Sequence, residues 1–421
     1  MRERSELPQS SPTKMRILAI ETSCDETGIA ILESRETGNR LHTITVHSNI
    51  ILSQASLHAQ YGGVFPAVAR REHAKAIIPV IVQALKEARL TKTLKKSRIL
   101  TVREERALRK IFHKEPVLLD EFRAALLSIK IPSIDAIAVT AGPGLEPALW
   151  VGINTATALG VLWGVPVIPV NHMEGHILAS LLVPKSKNSF TLTAPKFPTL
   201  ALLISGGHTE LVLMQRAGNY KILGQTRDDA VGEAFDKVAR MLGLPYPGGP
   251  EISRIAETAP KLTTPPYPLP RPMLKSPDFD FSFAGLKTAV LYTVKKIENL
   301  TPEIKASIAK EFEDSATEIL VTKTLAAAKK YNVREIVLGG GVTANKKIRA
   351  AFQKAVSEDF PKTALFIPGH ELSTDNGLMI GVAGFLRAAK PKKNIRAEGT
   401  MRLAKSSRHP SLAELRKKKK M

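Results

Sequence analysis

The chain of 421 residues is 43% hydrophobic, which is sufficient for two domains of ordinary size with buried cores. Its formal net charge of +22 indicates either a polyanionic partner such as a nucleic acid or a generally basic, lysine-rich proteome. The single cysteine excludes a disulfide framework within one chain. An aromatic content of 5% argues against a protein that stacks single-stranded bases on aromatic side chains.

The N-terminal residues lack the apolar region of a signal peptide, and their acids argue against a transit peptide. No apolar run is long enough to span a bilayer. We therefore expect a cytoplasmic protein with no membrane partner.

The first elements are a polar lead, a hairpin and a helix. Residues 1–14 are polar and predict a short disordered lead. Apolar runs at residues 16–20 and 29–32, separated by the polar segment 21–28, predict a β-hairpin. Helical periodicity follows over residues 73–90.

Residues 91–130 differ in composition, because Lys, Arg and Glu dominate while Leu and Ile recur at helical spacing. We predict an insertion that forms a pair of charged amphipathic helices on the surface. The segment could contact a partner, but a neutral surface elaboration is the favoured interpretation. A further strand is expected at residues 136–139.

The second half repeats the pattern of the first. Apolar residues 200–204, the polar turn 205–209 and apolar residues 210–214 again predict two strands around a turn of phosphate-binding size. This repetition predicts a duplicated α/β architecture of two lobes with a central cleft. A proline-rich loop is expected at residues 258–275, and a late buried strand at residues 334–338.

The most informative motif places His172 and His176 four residues apart, so that a helix would project both rings from one face. Neutral imidazole suits Zn and Fe, and the two histidines at this spacing are therefore a candidate metal-binding motif. The metalloprotease signature H-E-x-x-H does not match, because Met173 occupies the position of its catalytic glutamate. The alternative is two unrelated helix histidines. Asp375 could complete a His–His–Asp site or could simply cap the helix that follows it.

Other motifs combine glycines with polar residues. Gly206 and Gly207 would let backbone N–H groups approach an anion, although an ordinary hairpin turn is the favoured interpretation from this motif alone. Gly339–Gly341 ends a strand and opens a helix, where N–H groups face a phosphate or a ribose. Asp236 could accept hydrogen bonds from a ligand hydroxyl, and Pro247–Pro250 predicts a loop.

Taken together, these motifs resemble those of the Kae1/TsaD/Qri7 family of tRNA threonylcarbamoyladenosine transferases. The resemblance covers residues 15–388 apart from the insertion. The matching strings are Ile20-Glu21-Thr22-Ser23-Cys24-Asp25-Glu26-Thr27, Thr140-Ala141-Gly142-Pro143-Gly144-Leu145, Asn171-His172-Met173-Glu174-Gly175-His176, Ser205-Gly206-Gly207-His208-Thr209, Gly232-Glu233-Ala234-Phe235-Asp236-Lys237, Tyr246-Pro247-Gly248-Gly249-Pro250, Phe281-Ser282-Phe283-Ala284-Gly285-Leu286-Lys287-Thr288, Gly340-Gly341-Val342-Thr343-Ala344-Asn345 and Ser373-Thr374-Asp375-Asn376-Gly377.

The resemblance implies the duplicated actin-like fold of the actin/Hsp70/sugar-kinase class. It implies one divalent metal ion per subunit, Fe²⁺ with Zn²⁺ as the alternative, held by His172, His176 and Asp375. Asp25 and Glu26 match acids of the first turn and are the candidate catalytic residues. The candidate substrate-binding residues are Ile204, Ser205, Gly206, Gly207, His208, Asp236, Gly249 and Asn345.

The implied activity is transfer of a threonylcarbamoyl group from threonylcarbamoyl-AMP to N6 of the adenosine immediately 3′ of the anticodon. The tRNAs concerned read codons that begin with adenine. The implied partners are tRNA, a paralogous TsaB-like subunit and a TsaE-like ATPase, with a homodimer as an alternative. A metalloprotease and a non-catalytic ATP-binding scaffold are the competing interpretations. The expected organisation is a lead at 1–14, lobes at 15–171 and 172–388, and a basic flexible tail at 389–421.

Overall fold

A computed structural model describes residues 14–36, 42–260, 262–387 and 394–404. The strands, in chain order, are β1 Lys14–Glu21, β2 Glu26–Glu36, β3 His42–Ser53, β4 Ala136–Gly142, β5 Val167–Asn171, β6 Leu182–Ser186, β7 Ser189–Leu192, β8 Thr199–Ile204, β9 Thr209–Arg216, β10 Asn219–Gln225, β11 Glu335–Gly339 and β12 Ala364–Phe366.

Helices follow or separate these strands throughout the chain, which confirms the α/β class. They are α1 Ala55–Ala59, α2 Pro66–Glu87, α3 Val102–Ile111, α4 Pro116–Leu126, α5 Glu146–Trp163, α6 His172–Ser180, α7 Val231–Met241, α8 Gly248–Ala256, α9 Ala284–Lys295, α10 Pro302–Lys330, α11 Lys346–Asp359, α12 His370–Ser373 and α13 Gly377–Arg387, with a 3₁₀ turn at Gly341–Ala344.

The described residues fall into two compact units. The first takes its residues from 1–54, 65–194 and 375–400, and the second from 55–64, 195–374 and 401–421. This division differs from the predicted lobes, because the first unit continues past residue 171. It does so because β7 pairs with β3, while α13 packs against β1 and β2.

Both units contain the same arrangement of five strands, as the repeated sequence pattern predicted. In the first unit, β1 pairs with β2 and β2 with β3 in antiparallel fashion, while β1, β4 and β5 run parallel. In the second unit, β8, β9 and β10 form the antiparallel part, and β8, β11 and β12 run parallel. The order β3-β2-β1-β4-β5 is therefore repeated as β10-β9-β8-β11-β12, which is the duplication expected of the actin-like class.

The central strands are apolar over several consecutive residues because helices cover their two faces. Residues 17–20 of β1 and residues 200–204 of β8 are fully shielded from solvent. Such strands leave few polar positions, so the chemistry is confined to the turns at their carboxyl ends.

The predicted pair of charged amphipathic helices is present as α3 and α4, each with an exposed charged side and a buried apolar side. Leu108, Phe112, Leu118 and Phe122 are buried in the core of the first unit. The rings of Phe112 and Phe122 pack with their centroids 5.5 Å apart. Charged residues therefore cover one side of each helix, while the other side contributes to the core.

Two further predictions about local structure need correction. Pro247–Pro250 is not a free loop, because α8 begins at Gly248. Within the predicted flexible tail, residues 394–404 are described, and the Glu398 amide donates to the Ala141 carbonyl at 2.9 Å. Tail residues 389–393 and 405–421 lie outside the described residues, as does the lead up to residue 13.

No helix among the described residues has the length and apolar character needed to cross a membrane.

Replacing Phe122 by alanine should lower the free energy of unfolding by about 3–5 kcal/mol, because it removes a fully buried ring that packs on Phe112. Chemical unfolding monitored by circular dichroism measures this change. Val117 on the same helix is 70% exposed, so Val117→Ala is the matched control and should change stability by less than about 0.5 kcal/mol. Equal effects of the two substitutions would contradict a core role for α4.

Candidate metal centre and candidate substrate cavity

The helix that carries the two histidines begins where β5 ends. Asn171 caps it, and its side-chain oxygen accepts hydrogen bonds from the amides of Met173 and Glu174 at 2.9 and 3.2 Å. The helical turn then places the rings of His172 and His176 side by side, with centroids 4.7 Å apart and planes at 90°. The predicted projection of both imidazoles from one helix face is present in the structure.

Asp375 lies against both rings. Its Oδ1 is 3.4 Å from His172 Nε2 and 3.1 Å from His176 Nε2. The cap of α13 is instead Asn376, whose side-chain oxygen accepts from the Met379 amide at 2.9 Å. Of the two interpretations open for Asp375, the structure therefore favours the site over the plain helix cap.

A glycine brings Asp375 to this place. A Cβ built on Gly377 would lie 2.5 Å from the Ala30 amide nitrogen of β2, too close for any side chain. The start of α13 can therefore rest directly on the sheet only because residue 377 is glycine.

The three side chains fit a transition metal by their chemistry and burial. One ligand atom from each of His172, His176 and Asp375 lies within 4.8 Å of the other two. Both ring nitrogens of His176 are shielded from solvent, and neither makes a hydrogen bond within the described part of the chain. Two imidazoles and one carboxylate suit Fe or Zn and leave coordination positions open for a substrate.

A buried carboxylate that the sequence analysis did not identify orients His172. Glu21 is fully shielded at the end of β1, and its Oε2 lies 3.1 Å from His172 Nδ1. The same oxygen accepts from the Thr140 hydroxyl at 2.6 Å, and Oε1 accepts from the Ser23 amide at 2.5 Å. A hydrogen bond at Nδ1 leaves Nε2 facing Asp375, which is the arrangement of metal-binding histidines generally.

The electrostatics of the centre are dominated by carboxylates. Burial opposes the imidazolium form, but the charges of Asp375 and Glu21 outweigh it and raise the pKa of His172 to about 9. Burial, together with the charges of Asp375 and Asp25, raises the pKa of Glu26 to about 10. A concentration of negative charge around two imidazoles is a favourable environment for a cation.

The turn between β1 and β2 carries Asp25 and Glu26, the candidate catalytic residues. A buried histidine holds its backbone: His73 Nδ1 lies 2.7 Å from the Thr27 hydroxyl, and Nε2 lies 2.9 Å from the Cys24 carbonyl oxygen. Burial raises the pKa of the Cys24 thiol, which argues against a thiolate nucleophile at this turn. His73 carried no recognisable signal, because its partners lie 46 and 49 residues away.

Glu174, which lies between the two histidines in sequence, is committed elsewhere. Its Oε2 accepts a hydrogen bond from Arg387 Nε, so that this pair joins α6 to α13. The only acid within the His172–His176 motif is therefore an ion-pair partner of Arg387 and is not placed as the base of a protease.

The second unit contains a cavity of about 420 Å³ in which four of the eight candidate substrate residues meet. These four are Gly206, Asp236, Gly249 and Asn345. Ile204 is fully buried at the end of β8, and Ser205 closes the following turn by accepting from the His208 amide at 3.1 Å. The turn at residues 205–208 thus supports one wall of the cavity, and Gly206 is the residue of this turn that lines the cavity.

The lining combines apolar side chains with bare backbone. A Cβ built on Gly206, Gly249 or Gly341 would meet no atom within 4 Å, so these three glycines border open space. Apolar contacts are available from Phe235, Pro247, Pro250 and Val342, and charged side chains come from Arg254, Glu257 and Lys346. This composition suits a flat, partly apolar ligand that carries a charged group.

Two candidate substrate residues in the cavity also have structural hydrogen bonds. Asp236 Oδ1 accepts from the Gly248 amide at 2.7 Å, which fixes the start of α8. Asn345 caps α11 through the Ile348 amide at 2.9 Å, and its Nδ2 donates to Glu313 at 2.7 Å. Their side chains therefore shape the cavity whether or not they touch a ligand.

The comparisons with known proteins agree with this architecture. A family model described as tRNA N6-adenosine threonylcarbamoyltransferase (TsaD) matches residues 45–96 and 116–382. The enzyme of that name from Geobacillus kaustophilus is 42% identical over 369 residues, covering 87% of this chain and 90% of that protein. The one from Chromobacterium violaceum is 41% identical over 380 residues, covering 89% and 93%.

The duplicated α/β fold and the His–His–Asp centre define a class of actin-like proteins with a candidate metal site. Within that class, the chain belongs to the tRNA N6-adenosine threonylcarbamoyltransferase family, as its motifs had indicated.

The solved structures to which the chain is similar have a much lower sequence identity to it than these enzymes. The ROK hexokinase from Thermus thermophilus is 13% identical with a TM-score of 0.41, covering 89% of this chain and 99% of that chain. Full-length HypF is 11% identical with a TM-score of 0.47, covering 91% of this chain and 48% of that chain.

Glu21→Gln should weaken metal binding by about 10- to 100-fold, because a neutral amide holds His172 Nδ1 less firmly than a carboxylate does. Titration of the metal-depleted protein with Zn²⁺ against a competing chelator measures the affinity. Glu87→Gln, at an exposed position on α2, is the matched control and should leave the affinity unchanged. A thermal melt establishes that the variant is folded. A folded variant with unaltered affinity would show that Glu21 does not orient the ligand.

Proposed function

We propose that this chain transfers the threonylcarbamoyl group of threonylcarbamoyl-AMP to N6 of the adenosine immediately 3′ of the anticodon, in tRNAs that read codons beginning with adenine. The family supports the reaction, since the similar proteins from two bacteria carry this enzyme name. The observation that carries the site assignment is the convergence of His172, His176 and Asp375 from separate segments of the sequence.

The reaction determines what the site must provide. The N6 amine attacks the carbamoyl carbon, the bond from that carbon to the phosphate oxygen breaks, AMP leaves and N6 loses a proton. An exocyclic adenine amine is a poor nucleophile, so stabilisation of the leaving phosphate matters most. Backbone N–H groups of glycine-rich turns can share that charge, and removal of one such donor typically lowers the rate by about 10²–10³.

His172, His176 and Asp375 would hold the metal, with Fe²⁺ proposed and Zn²⁺ as the alternative. When bound, such a metal supplies Lewis-acid stabilisation of phosphate oxygens and a template for the donor. Glu21 keeps His172 in the required orientation. Asp25 and Glu26, in the turn between β1 and β2, are the proposed catalytic acids, supported by the electrostatic interaction of Glu26 with Asp375 and Asp25.

The cavity of the second unit would hold the adenylate. Its apolar side chains suit a purine ring, and the bare backbone at Gly206, Gly249 and Gly341 allows close approach. Ile204, Ser205, Gly207 and His208 would act through the turn that supports this wall.

We further propose that the protein works in the cytoplasm with a paralogous TsaB-like subunit and a TsaE-like ATPase. The bacterial origin of the similar enzymes supports this partnership. A homodimer is the alternative, and co-purification followed by measurement of the complex mass distinguishes the two.

The competing interpretations have less support. A metalloprotease of the H-E-x-x-H type needs a glutamate directly after the first histidine, but Met173 occupies that position and Glu174 is bound to Arg387. A non-catalytic scaffold has no need for three converging ligand residues. Peptide cleavage by the metal-loaded protein, measured beside tRNA modification, tests the first alternative directly.

His176→Ala should reduce threonylcarbamoyl transfer by about a hundredfold or more, because it removes a proposed metal ligand. The assay is mass analysis of tRNA nucleosides after incubation with threonine, bicarbonate, ATP, the adenylate-forming enzyme and the proposed partner subunits. His47→Ala removes an imidazole from β3 and is the control, with activity expected near that of the parent. Full activity of a folded His176→Ala protein would reject the proposed centre.

Gly341→Val should raise the KM for threonylcarbamoyl-AMP by about tenfold, the equivalent of 1.4 kcal/mol of binding, because the added side chain enters the cavity. Steady-state kinetics with supplied adenylate measure this effect. Gly369→Val is the matched control, since a Cβ there also meets nothing within 4 Å but the residue does not line the cavity. If both variants bind the adenylate as the parent does, the ligand occupies another place.

A further inference from the structure

One helix of the first unit lies in a break between two stretches of the chain that the family model matches. The family model matches residues 45–96 and resumes at residue 116, so α3 falls in the unmatched segment 97–115. This segment lies inside the predicted insertion of residues 91–130, and α4 belongs to the matched part.

The helix α3 is firmly built into the unit. Thr101 and Glu104 form a reciprocal capping box at its start. Leu108 and, just after the helix, Phe112 are buried in the core. The N-terminal cap and the buried residues therefore fix α3 in the unit, although the family model does not match it.

In the segment 97–115 the basic residues outnumber the acidic residues, and the two kinds differ in how many form ion pairs. Residues 97–115 contain six Lys or Arg and three acids. All three acids are paired: Glu104 with Arg98, Glu105 with Arg109 and Arg123, and Glu115 with Arg70. The positive charges that remain are therefore available to a partner from outside the unit.

Three of these cations share one helix face. Arg103, Arg106 and Lys110 are exposed and form no ion pair with any residue that the structure describes. Their spacing of three and four residues places them in one row about 10 Å long, on the side opposite the buried Leu108. We call Arg103, Arg106 and Lys110 the α3 cationic row.

The segment that leads into α3 contacts the end of α5 that is remote from the candidate metal centre of the same unit. α3 packs against α5, and Arg98, just before α3, donates to the Leu162 carbonyl at the C-terminal end of α5 at 2.5 Å. The opposite end of α5 meets the turn after β1, where Thr22 donates to the Ala148 carbonyl. Because α5 has 18 residues, about 27 Å of helix separates the two ends.

We propose that the α3 cationic row binds the sugar–phosphate backbone of the tRNA substrate at a place remote from the modified adenosine. The proposal rests on the proposed function for its choice of polyanion. Charge complementarity carries it: a row of unpaired cations on a helix that is fixed in the unit matches a chain of phosphates, and such contacts position a nucleic acid without reading its sequence.

The test replaces all three cations by glutamine, as Arg103→Gln, Arg106→Gln and Lys110→Gln together, which keeps good helix formers. The Kd for tRNA is measured by filter binding from 50 to 200 mM salt, without the adenylate. We expect the Kd at low salt to rise about tenfold. The slope of log Kd against log salt concentration should fall by about two to three, since each of the three lost phosphate contacts contributes about 0.7–0.9. The KM for threonylcarbamoyl-AMP should stay unchanged.

The matched control keeps the charges, as Arg103→Lys, Arg106→Lys and Lys110→Arg together, and should bind tRNA with the parent's affinity and salt slope. A thermal melt verifies the fold of both variants. An unchanged Kd and slope for the glutamine variant would overturn the proposal. Binding of the parent and of the glutamine variant to polyglutamate is measured in parallel. If the glutamine variant keeps its affinity for tRNA but loses its affinity for polyglutamate, the row binds an acidic protein. Nucleoside analysis with the parent protein tests the proposed function separately, because it does not depend on the row.

Discussion

The buried carboxylate of Glu21 is the interaction on which the site depends. It lies at the carboxyl end of β1 with no access to solvent, so its charge must be balanced by hydrogen bonds from its surroundings. Those bonds come from the Ser23 amide, the Thr140 hydroxyl and the His172 ring, and hence from three different segments of the chain. One side chain thus fixes the turn after β1, the end of β4 and the first histidine of α6. Asp375 then approaches because glycine at position 377 allows α13 to rest on β2.

The duplicated topology assigns different tasks to equivalent turns. In the first unit, the turn between β1 and β2 carries Asp25 and Glu26, and it faces a centre rich in carboxylates. In the second unit, the turn between β8 and β9 carries Gly206 and Gly207, and Gly206 borders the cavity. Turns at equivalent positions in the topology therefore support opposite electrostatics: acids in one unit favour a cation, while bare amides in the other can favour an anion. Both turns carry polar residues because they lie at the ends of the strands, where helices no longer cover the backbone on both faces.

Local patterns in the sequence predicted a large part of this structure, and long-range packing accounts for the rest. The hairpins and the duplicated α/β class follow from short apolar runs separated by polar turns. The shared helix face of His172 and His176 follows from their spacing of four residues in a helix of 3.6 residues per turn. The role of Glu21 could not be predicted this way, because its partners are 119 and 151 residues distant. The pattern of residues 91–130 predicted helices with an apolar side, but the partners of Phe122 could not be predicted, since they depend on where α4 docks. Asn345 looked like a ligand residue, and its capping of α11 became visible only with the helix boundary in place.

The arrangement of charge says more about recognition than its total does. A net charge of +22 is compatible with a basic proteome as well as with a nucleic acid partner, so it identifies neither. In α3 the acids are neutralised by neighbouring arginines, whereas one exposed side of the helix keeps its positive charges. A flexible basic segment would lose conformational entropy on binding, but a helix already fixed by its cap and by Leu108 has lost that freedom on folding. Phosphate contacts made from such a helix would therefore lose less binding free energy to ordering of the chain than contacts made from a flexible segment.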